Sequence, residues 1–314
     1  MENYIRYRTK LGKNRRLNMK KALVTGGAGF IGSNLVDRLL KQNIEVIILD
    51  DLSTGKKENI NSAATFYQVD ISSNLESLDF AFDGVDVVFH LAAKTTVQES
   101  LSIPLHYHAV NTTGTLNLLQ ACVRNGIKKL VYSSSSSVYG DCKVPTSEDT
   151  ETNPISQYAL TKLIGEDYCK LYNRLYDIDI CILRYFNVYG DRMNTEGGYK
   201  LVFPIFKELL KSNKPLTINN DGNQKRDFVH VSDVCAVNIL CATREERFNS
   251  DIFNVGSGEN HSINEIADMF GGEKEYGNTV IEPKETLADI CKIDLDLDWR
   301  PRGILKNWIK TYKE

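Results

Sequence analysis

One short stretch constrains this chain more than any other: Gly26-Gly27-Ala28-Gly29-Phe30-Ile31-Gly32, set between a β-branched run at 22–25 and a segment of helical period at 31–41. Glycines so placed permit a tight turn, let backbone approach a pyrophosphate, and seat the helix against the sheet, while first-turn amides face the phosphates. The turn is therefore read as strand, phosphate-binding loop and helix in succession. An acid in the right place strengthens that reading. Asp50 ends the next apolar run, roughly twenty residues beyond the glycines, where a carboxylate meets the ribose hydroxyls and repels an extra phosphate, favouring NAD over NADP. Asp50 also suits a strand-end turn beside Asp51. Asp70, after the third run, fits either the adenine amine or a solvated turn.

Beyond the turn, short β-branched runs at 45–49, 65–69, 85–90, 129–133 and 178–183 alternate with helical periods at 105–125 and 155–176. Such alternation predicts an α/β fold built on a doubly wound parallel sheet covered on both faces. After Gly190 the pattern breaks into loops rich in glycine and asparagine. Short strands are expected there at 216–218 and 228–231 and helices at 202–211, 234–243 and 263–270, a smaller mixed α/β region.

Composition excludes several functions. The formal charge of -3 over 314 residues lacks the basic surplus of a nucleic-acid binder. No apolar run reaches the roughly 18 to 20 residues that span a bilayer, so no membrane role is expected. The seven cysteines are scattered without a Cys-x-x-Cys pair, which argues against a metal site and for reduced thiols in a cytoplasmic protein. His106 and His108 lie two apart on a helical period and face different ways, while His90 ends a strand as a packed core residue. Residues 1–20 carry seven basic side chains against Glu2, and 1–19 are read as a flexible basic extension.

Tyr158 and Lys162 stand four apart on one helical face. A phenol titrates near 10 and is a poor base at neutral pH, but an adjacent ammonium and a positive nicotinamide favour the phenolate. Such pairs are usually structural. Here the pair follows the glycine turn and the five serines that end the run at 129–133, so Tyr158 is read as a proton acceptor. These features, with His90-Leu91-Ala92-Ala93, Val138-Tyr139-Gly140 and Leu183-Arg184-Tyr185-Phe186-Asn187-Val188-Tyr189-Gly190, resemble the extended short-chain dehydrogenase/reductase family over about residues 20–312. Arg226-Asp227-Phe228-Val229-His230-Val231-Ser232-Asp233 and Phe253-Asn254-Val255-Gly256 resemble its nucleotide-sugar 4-epimerases, the UDP-glucose and UDP-N-acetylglucosamine group.

The resemblance implies an NAD-binding Rossmann domain at 20–190 and a nucleotide-sugar-binding region at 191–314, interleaved in space, with a homodimer formed through the helices at 105–125 and 155–176. It implies Ser135, Tyr158 and Lys162 as catalytic residues. For NAD it implies Gly26, Gly29, Phe30, Ile31, Asp50, Asp51, Ser53, Thr54, Gly55, Asp70 and Ile71, then Leu91, Ala92, Ala93, Lys94, Asn111, Ser133, Tyr185 and Val188. For a UDP-sugar it implies Asn187 and Arg226 at the diphosphate, Val202, Thr217 and Asn219 around the uridine, and Lys94, Lys284, Thr286 and Asp289 nearby. Arg226 suits phosphate by its own chemistry, since a guanidinium fork matches two oxygens; an Arg-Asp pair before a strand is also a common surface ion pair.

Relatives that eliminate water carry Thr-Asp-Glu where Ser135-Ser136-Ser137 stands here, and decarboxylating relatives tend to carry a glutamate at the position of Ser137. Without those acids, dehydration and decarboxylation are disfavoured, and the expected reaction is 4-epimerisation through a transient 4-keto sugar, with NAD regenerated in each cycle. Thr286 is small, which leaves room for an N-acetyl group, so UDP-N-acetylglucosamine stands beside UDP-glucose and UDP-glucuronate. A reductase of the same family is the other enzymic reading; from another class, a catalytically silent NAD-binding sensor remains, with Tyr158 and Lys162 intact against it. The segment before Asp289 departs from the family, Lys284 standing where an arginine is usual.

Overall fold

The computed structural model describes residues 18–73, 76, 78–193, 202–277 and 283–314. Its centre is a seven-stranded sheet in which every neighbouring pair is parallel. The strands are β1 (Lys21–Thr25), β2 (Glu45–Asp50), β3 (Thr65–Gln68), β4 (Val87–His90), β5 (Lys129–Ser135), β6 (Asp179–Tyr185) and, much later in the chain, one at Ile252–Val255. From the late strand inward and across, the order is Ile252–Val255, β6, β5, β4, β1, β2, β3. Chain direction through the sheet therefore reverses between β1 and β4, which opens a crevice at their carboxyl ends.

Alternate residues explain why both faces are covered. Ala22 and Val24 of β1 join a core with Leu35, Val36 and Leu39 of helix α1 (Phe30–Leu40), whereas Leu23 packs on the opposite face with Leu118 and Cys122 of α2 (Gly114–Arg124). A strand buried on both sides must be apolar through its middle, and β1 and β2 are apolar between their polar end residues. The longest helix, α3 (Gln157–Leu175), lies on the second face.

The helix expected over 105–125 is interrupted. A π-helical turn at His108–Thr113 precedes α2 and carries Val110, Asn111 and Thr112 inward. Its wider ring is invisible to a 3.6-residue period.

The downstream chain adds β7 (Asn187–Tyr189), α4 (Val202–Lys211), β8 (Leu216–Ile218), β9 (Lys225–His230) and α5 (Val231–Thr243). The late sheet strand is β10 (Ile252–Val255), followed by β11 (Asn260–Ser262), α6 (Ile263–Phe270), β12 (Lys274–Tyr276) and α7 (Leu305–Tyr312). Two small sheets, β11-β9-β7 and β12-β8, close on an aromatic core of Tyr189, Phe203, Phe206, Phe228 and Phe270. Ser262 caps α6 with a reciprocal capping box through Glu265, which fixes where that helix begins.

Candidate active site

The crevice between β1 and β4 opens into a cavity of about 780 Å³. That volume suits a small-molecule site. At its floor Gly26 adopts φ +70°, and a Cβ there would stand 2.7 Å from the Ala92 backbone nitrogen. Gly32 is equally constrained, because a Cβ would meet the Gly26 carbonyl oxygen at 2.1 Å. The turn is thus pressed against the 91–94 loop and the start of α1 together. Gly29 is the N-cap and brings no side-chain cap, so the first-turn amides of α1 point out of the helix beside Phe30 and Ile31, which line the cavity.

Asp50 is buried and accepts hydrogen bonds from the amides of Ala28 (2.9 Å) and Leu52 (2.8 Å). Burial pushes its carboxyl up, and these two donors oppose the shift. Asp51, Ser53, Thr54, Asp70 and Ile71 also line the cavity, and Lys94 Nζ reaches across it to donate to Ser53 Oγ at 3.1 Å. Gly55 lies behind Asp50, where a Cβ would stand 2.7 Å from a carboxylate oxygen. Asp70 is exposed and holds a local turn by accepting from Ser72 N at 2.8 Å.

Asn111 lies outside the lining and buttresses it. Its Oδ1 accepts from Lys94 N (2.8 Å), and its Nδ2 donates to Lys94 O (2.9 Å) and to Thr161 Oγ1 on α3 (3.0 Å). Leu91, Ala92, Ala93 and Lys94 therefore hang from the π-helical turn. His90, just before them, is bonded on both ring nitrogens, to Thr25 (2.8 Å) and Thr115 (2.9 Å). Burial, with help from Lys162, pushes it down to about 3, leaving a neutral core histidine.

Ser156 starts α3 by accepting from Ala159 N at 3.1 Å. That cap puts Tyr158 in the first turn, where the positive end of the helix dipole favours an anionic phenolate. One turn on, buried Lys162 donates to the Ser133 carbonyl at 2.8 Å and lies over the Tyr132 ring at 5.3 Å. Burial lowers this ammonium from 10.5 to about 8, so it still carries its proton at neutral pH. Ser135 ends β5 at the cavity wall; its Oγ accepts from Ser137 N (3.2 Å) and from Ser137 Oγ (2.9 Å). Ser133 Oγ meets Tyr185 OH at 3.0 Å, and that phenol donates in turn to Asn238 Oδ1 at 3.0 Å.

On the opposite wall stand Asn187, Val188, Arg226 and Thr286. Asn187 Nδ2 donates to the Asp227 carbonyl at 3.2 Å and reaches Thr286 Oγ1 at 3.5 Å. Val202, Thr217, Asn219, Lys284 and Asp289 are not among the residues lining the cavity. Thr217, Asn219 and Lys284 are exposed, Val202 packs on the aromatic core, and Asp289 caps the Cys291 amide at 2.9 Å.

Two carboxylates to which the motifs assign no role organise the site. Glu166, one turn beyond Lys162, accepts from Ser134 Oγ (2.5 Å) and from Arg184 Nε (2.9 Å) and Nη2 (2.7 Å), with Arg184 set 4.6 Å over the Tyr139 ring. An acid on the apolar face of a helix at i+4 from a lysine is the signal that could have found it. Asp227 accepts four bonds, from Ser257 N (2.6 Å), Ser257 Oγ (2.7 Å), Ala288 N (3.0 Å) and Gly258 N (3.1 Å). It ties β9 to two separate segments, 257–258 and Ala288, beside Arg226, which no spacing rule reveals.

A family model described as the NAD dependent epimerase/dehydratase family matches residues 22–256. A putative UDP-glucose 4-epimerase of Methanocaldococcus jannaschii is 40% identical over 296 residues, covering 92% of this chain and 95% of that protein. The crystal structure of a UDP-glucose 4-epimerase from Thermotoga maritima with UDP-glucose is similar at TM-score 0.87 and 35% identity, covering 93% of this chain and 97% of that one. A UDP-glucuronic acid 4-epimerase from Bacillus cereus, in complex with UDP-glucuronic acid and NAD, matches at TM-score 0.86 and 34% identity over 93% and 98% of the two chains.

Proposed function

We propose a reaction from one premise: this chain belongs to the NAD dependent epimerase/dehydratase family. The reaction is 4-epimerisation of a UDP-sugar. The observation that carries it is a single cavity in which Ser135, Tyr158 and Lys162 stand between the Gly26 turn and Asn187 with Arg226, while serines occupy positions 136 and 137. That cavity has a hydride-transfer end, a polar anchoring end and a proton acceptor between them, and it lacks the acid and base that elimination needs.

The residues fit NAD. Only a glycine can occupy position 26 against Ala92, the α1 N-terminus faces the cavity beside it, and Asp50 closes the adenosine side. When bound, NAD supplies the acceptor that takes the hydride from C4 and returns it to the other face of the sugar. Tyr158 removes the O4 proton, Lys162 keeps the phenol acidic enough to do so, and Ser135 donates to O4. Arg226 and Asn187 hold the diphosphate while the sugar turns. UDP-glucose, UDP-N-acetylglucosamine and UDP-glucuronate are the candidate substrates.

We also propose a homodimer, since Ile103, Leu105, Leu160 and Leu175 are large apolar residues left exposed about the two helices named for it. All seven cysteines are free, which fits a reducing compartment such as the cytoplasm. The basic segment 1–19 falls almost wholly outside the described residues.

The test is incubation of the purified chain with each of the three UDP-sugars, followed by separation of products. Interconversion with the 4-epimer is expected; release of water or carbon dioxide would sink the reading. Tyr158→Phe is expected to lower turnover by roughly 10²- to 10⁴-fold while UDP-sugar still binds.

A further inference from the structure

Asn238 stands among residues unlike itself. Helix α5 runs through the core, and Val234, Cys235, Val237, Cys241 and Ala242 surround this one fully buried amide. Such a group is tolerated there only if it is bonded. Its Nδ2 donates to the Val234 carbonyl at 2.7 Å, which settles which amide atom is the nitrogen, because a carbonyl accepts only from a donor. Beyond its own helix, among the described residues, the side chain bonds a single atom, Tyr185 OH, 2.7 Å from Nδ2 and 3.0 Å from Oδ1. The amide is donor and acceptor at once, so these heavy-atom positions alone hold the phenol oxygen in place.

Tyr185 carries that restraint to the reacting end of the cavity. It ends β6 directly beside Ser135 of β5, packs in the core that it shares with α5, and lines the cavity together with Ser133. Paired residues of neighbouring strands present side chains on one face, as do residues two apart along a strand. Ser133, Ser135 and Tyr185 therefore form one surface. The Tyr185 phenol meets Ser133 Oγ at 3.0 Å, and the Ser133 carbonyl is the acceptor that holds Lys162 Nζ at 2.8 Å. Burial pushes this phenol up, so it stays neutral and acts as a strut. Packing does not account for the pair, since Asn238→Leu with Tyr185→Phe would join α5 to β6 without burying a polar group there, at little cost in stability.

We infer that Asn238 is a positioning residue for the hydride-transfer end: through Tyr185 OH it fixes the wall made by Tyr185 and Ser133, against which the nicotinamide and the reacting carbon are held. This rests on the epimerase reading above. It also gives the downstream half of the chain a task at that end, whereas Arg226 and Thr286 serve the anchoring end.

Asn238→Leu removes the strut's support and touches no group at the diphosphate. The value of one hydrogen bond predicts a fall in kcat of about tenfold, with KM for the UDP-sugar within about twofold. Tyr185→Phe should fall by a similar factor. The double variant should be no slower than either single, because both act through one contact, whereas independent roles would multiply to about a hundredfold. It leaves no unpaired group behind, so it should unfold at nearly the denaturant concentration of the unaltered chain.

A second measurement does not depend on turnover: the fluorescence anisotropy of bound NADH, reduced in place with borohydride. It should drop in all three variants as the nicotinamide ring gains freedom. A stable double variant that turns over at the unaltered rate, a multiplied loss, or unchanged anisotropy in Asn238→Leu each overturns the inference while the epimerase reading stands. Absence of interconversion by the unaltered chain removes both.

Discussion

The two walls of the cleft are fastened by different means. On one, the 26–32 turn and the 91–94 loop project from adjacent strand ends, β1 and β4, whose pairing is continuous from Ala22 with Val87 to Thr25 with His90. On the other, Asn187, Arg226 and Thr286 sit on strands of three to six residues or on none, and side chains supply the ties that a long ladder would otherwise give. The Asp227 carboxylate joins β9 to the turn at 257–258 and to Ala288, beside two backbone bonds between Lys225 and the 284–286 segment. A ladder spreads its restraint over many weak bonds, whereas a clasp concentrates it in one carboxylate. Apart from the glycines at 26 and 32, the first wall should tolerate single changes in side chains, and the second should not.

The sharpest way to break that contrast is at Glu166, a clasp buried inside the ladder-built half. Glu166→Ala leaves the Arg184 guanidinium, itself 3% exposed, without its partner. Stranding a buried charge in this way costs about 3–5 kcal/mol, so denaturant unfolding should shift by that amount. A shift under about 1 kcal/mol would mean the ladder alone holds β5, β6 and α3 in register.

Next in size is Asp227→Asn, which replaces one acceptor oxygen by an NH₂ group facing donors. The expected cost is about 1–3 kcal/mol, felt chiefly as a rise in KM for the UDP-sugar with a smaller change in kcat. If unfolding shifts as much as in the Glu166 variant and KM does not move, the clasp serves general stability and the contrast fails.

The smallest effect is read from pH. Lys162 is lowered from 10.5 to about 8 by burial, so the folded chain loses this proton across a range where the unfolded chain keeps it. Stability should therefore rise from about pH 8 to 10.5 on this account, while turnover falls above about pH 8 as the charge beside Tyr158 disappears. Activity and stability moving in opposite directions would be seen by comparing a pH–rate profile with unfolding midpoints; parallel loss of both would show that Lys162 is not the group titrating.

The same contrast explains what could be read from the residues alone. Strands β1, β2, β4 and β6 carry mainly apolar runs bounded by turns, and the parallel sheet followed from their alternation with helical periods, as did the meeting of the glycine turn with Tyr158 and Lys162 in one cavity. The strands β7, β11 and β12 are three residues each, too short to show a period of two. Strand β10 was visible as a motif and not as a member of the main sheet, because its partner β6 is set by tertiary packing. The clasps at Glu166 and Asp227 escaped for a different reason: a carboxylate's partners are chosen in space, and single acids in a sequence default to solvent.

Strand β10 also governs the order in which the molecule can be made. A nascent chain that has emerged as far as residue 190 carries β6 with only β5 beside it, and the other edge of a fully buried strand stays open. Some sixty residues later β10 arrives and brings Asn254, which accepts from Tyr139 and donates to the Thr146 carbonyl. Until then the half that holds the glycine turn has an unpaired edge, the kind of surface that recruits foreign strands during synthesis. The last strand of the first half is thus supplied by the second, and neither half can be released from the ribosome as a finished product.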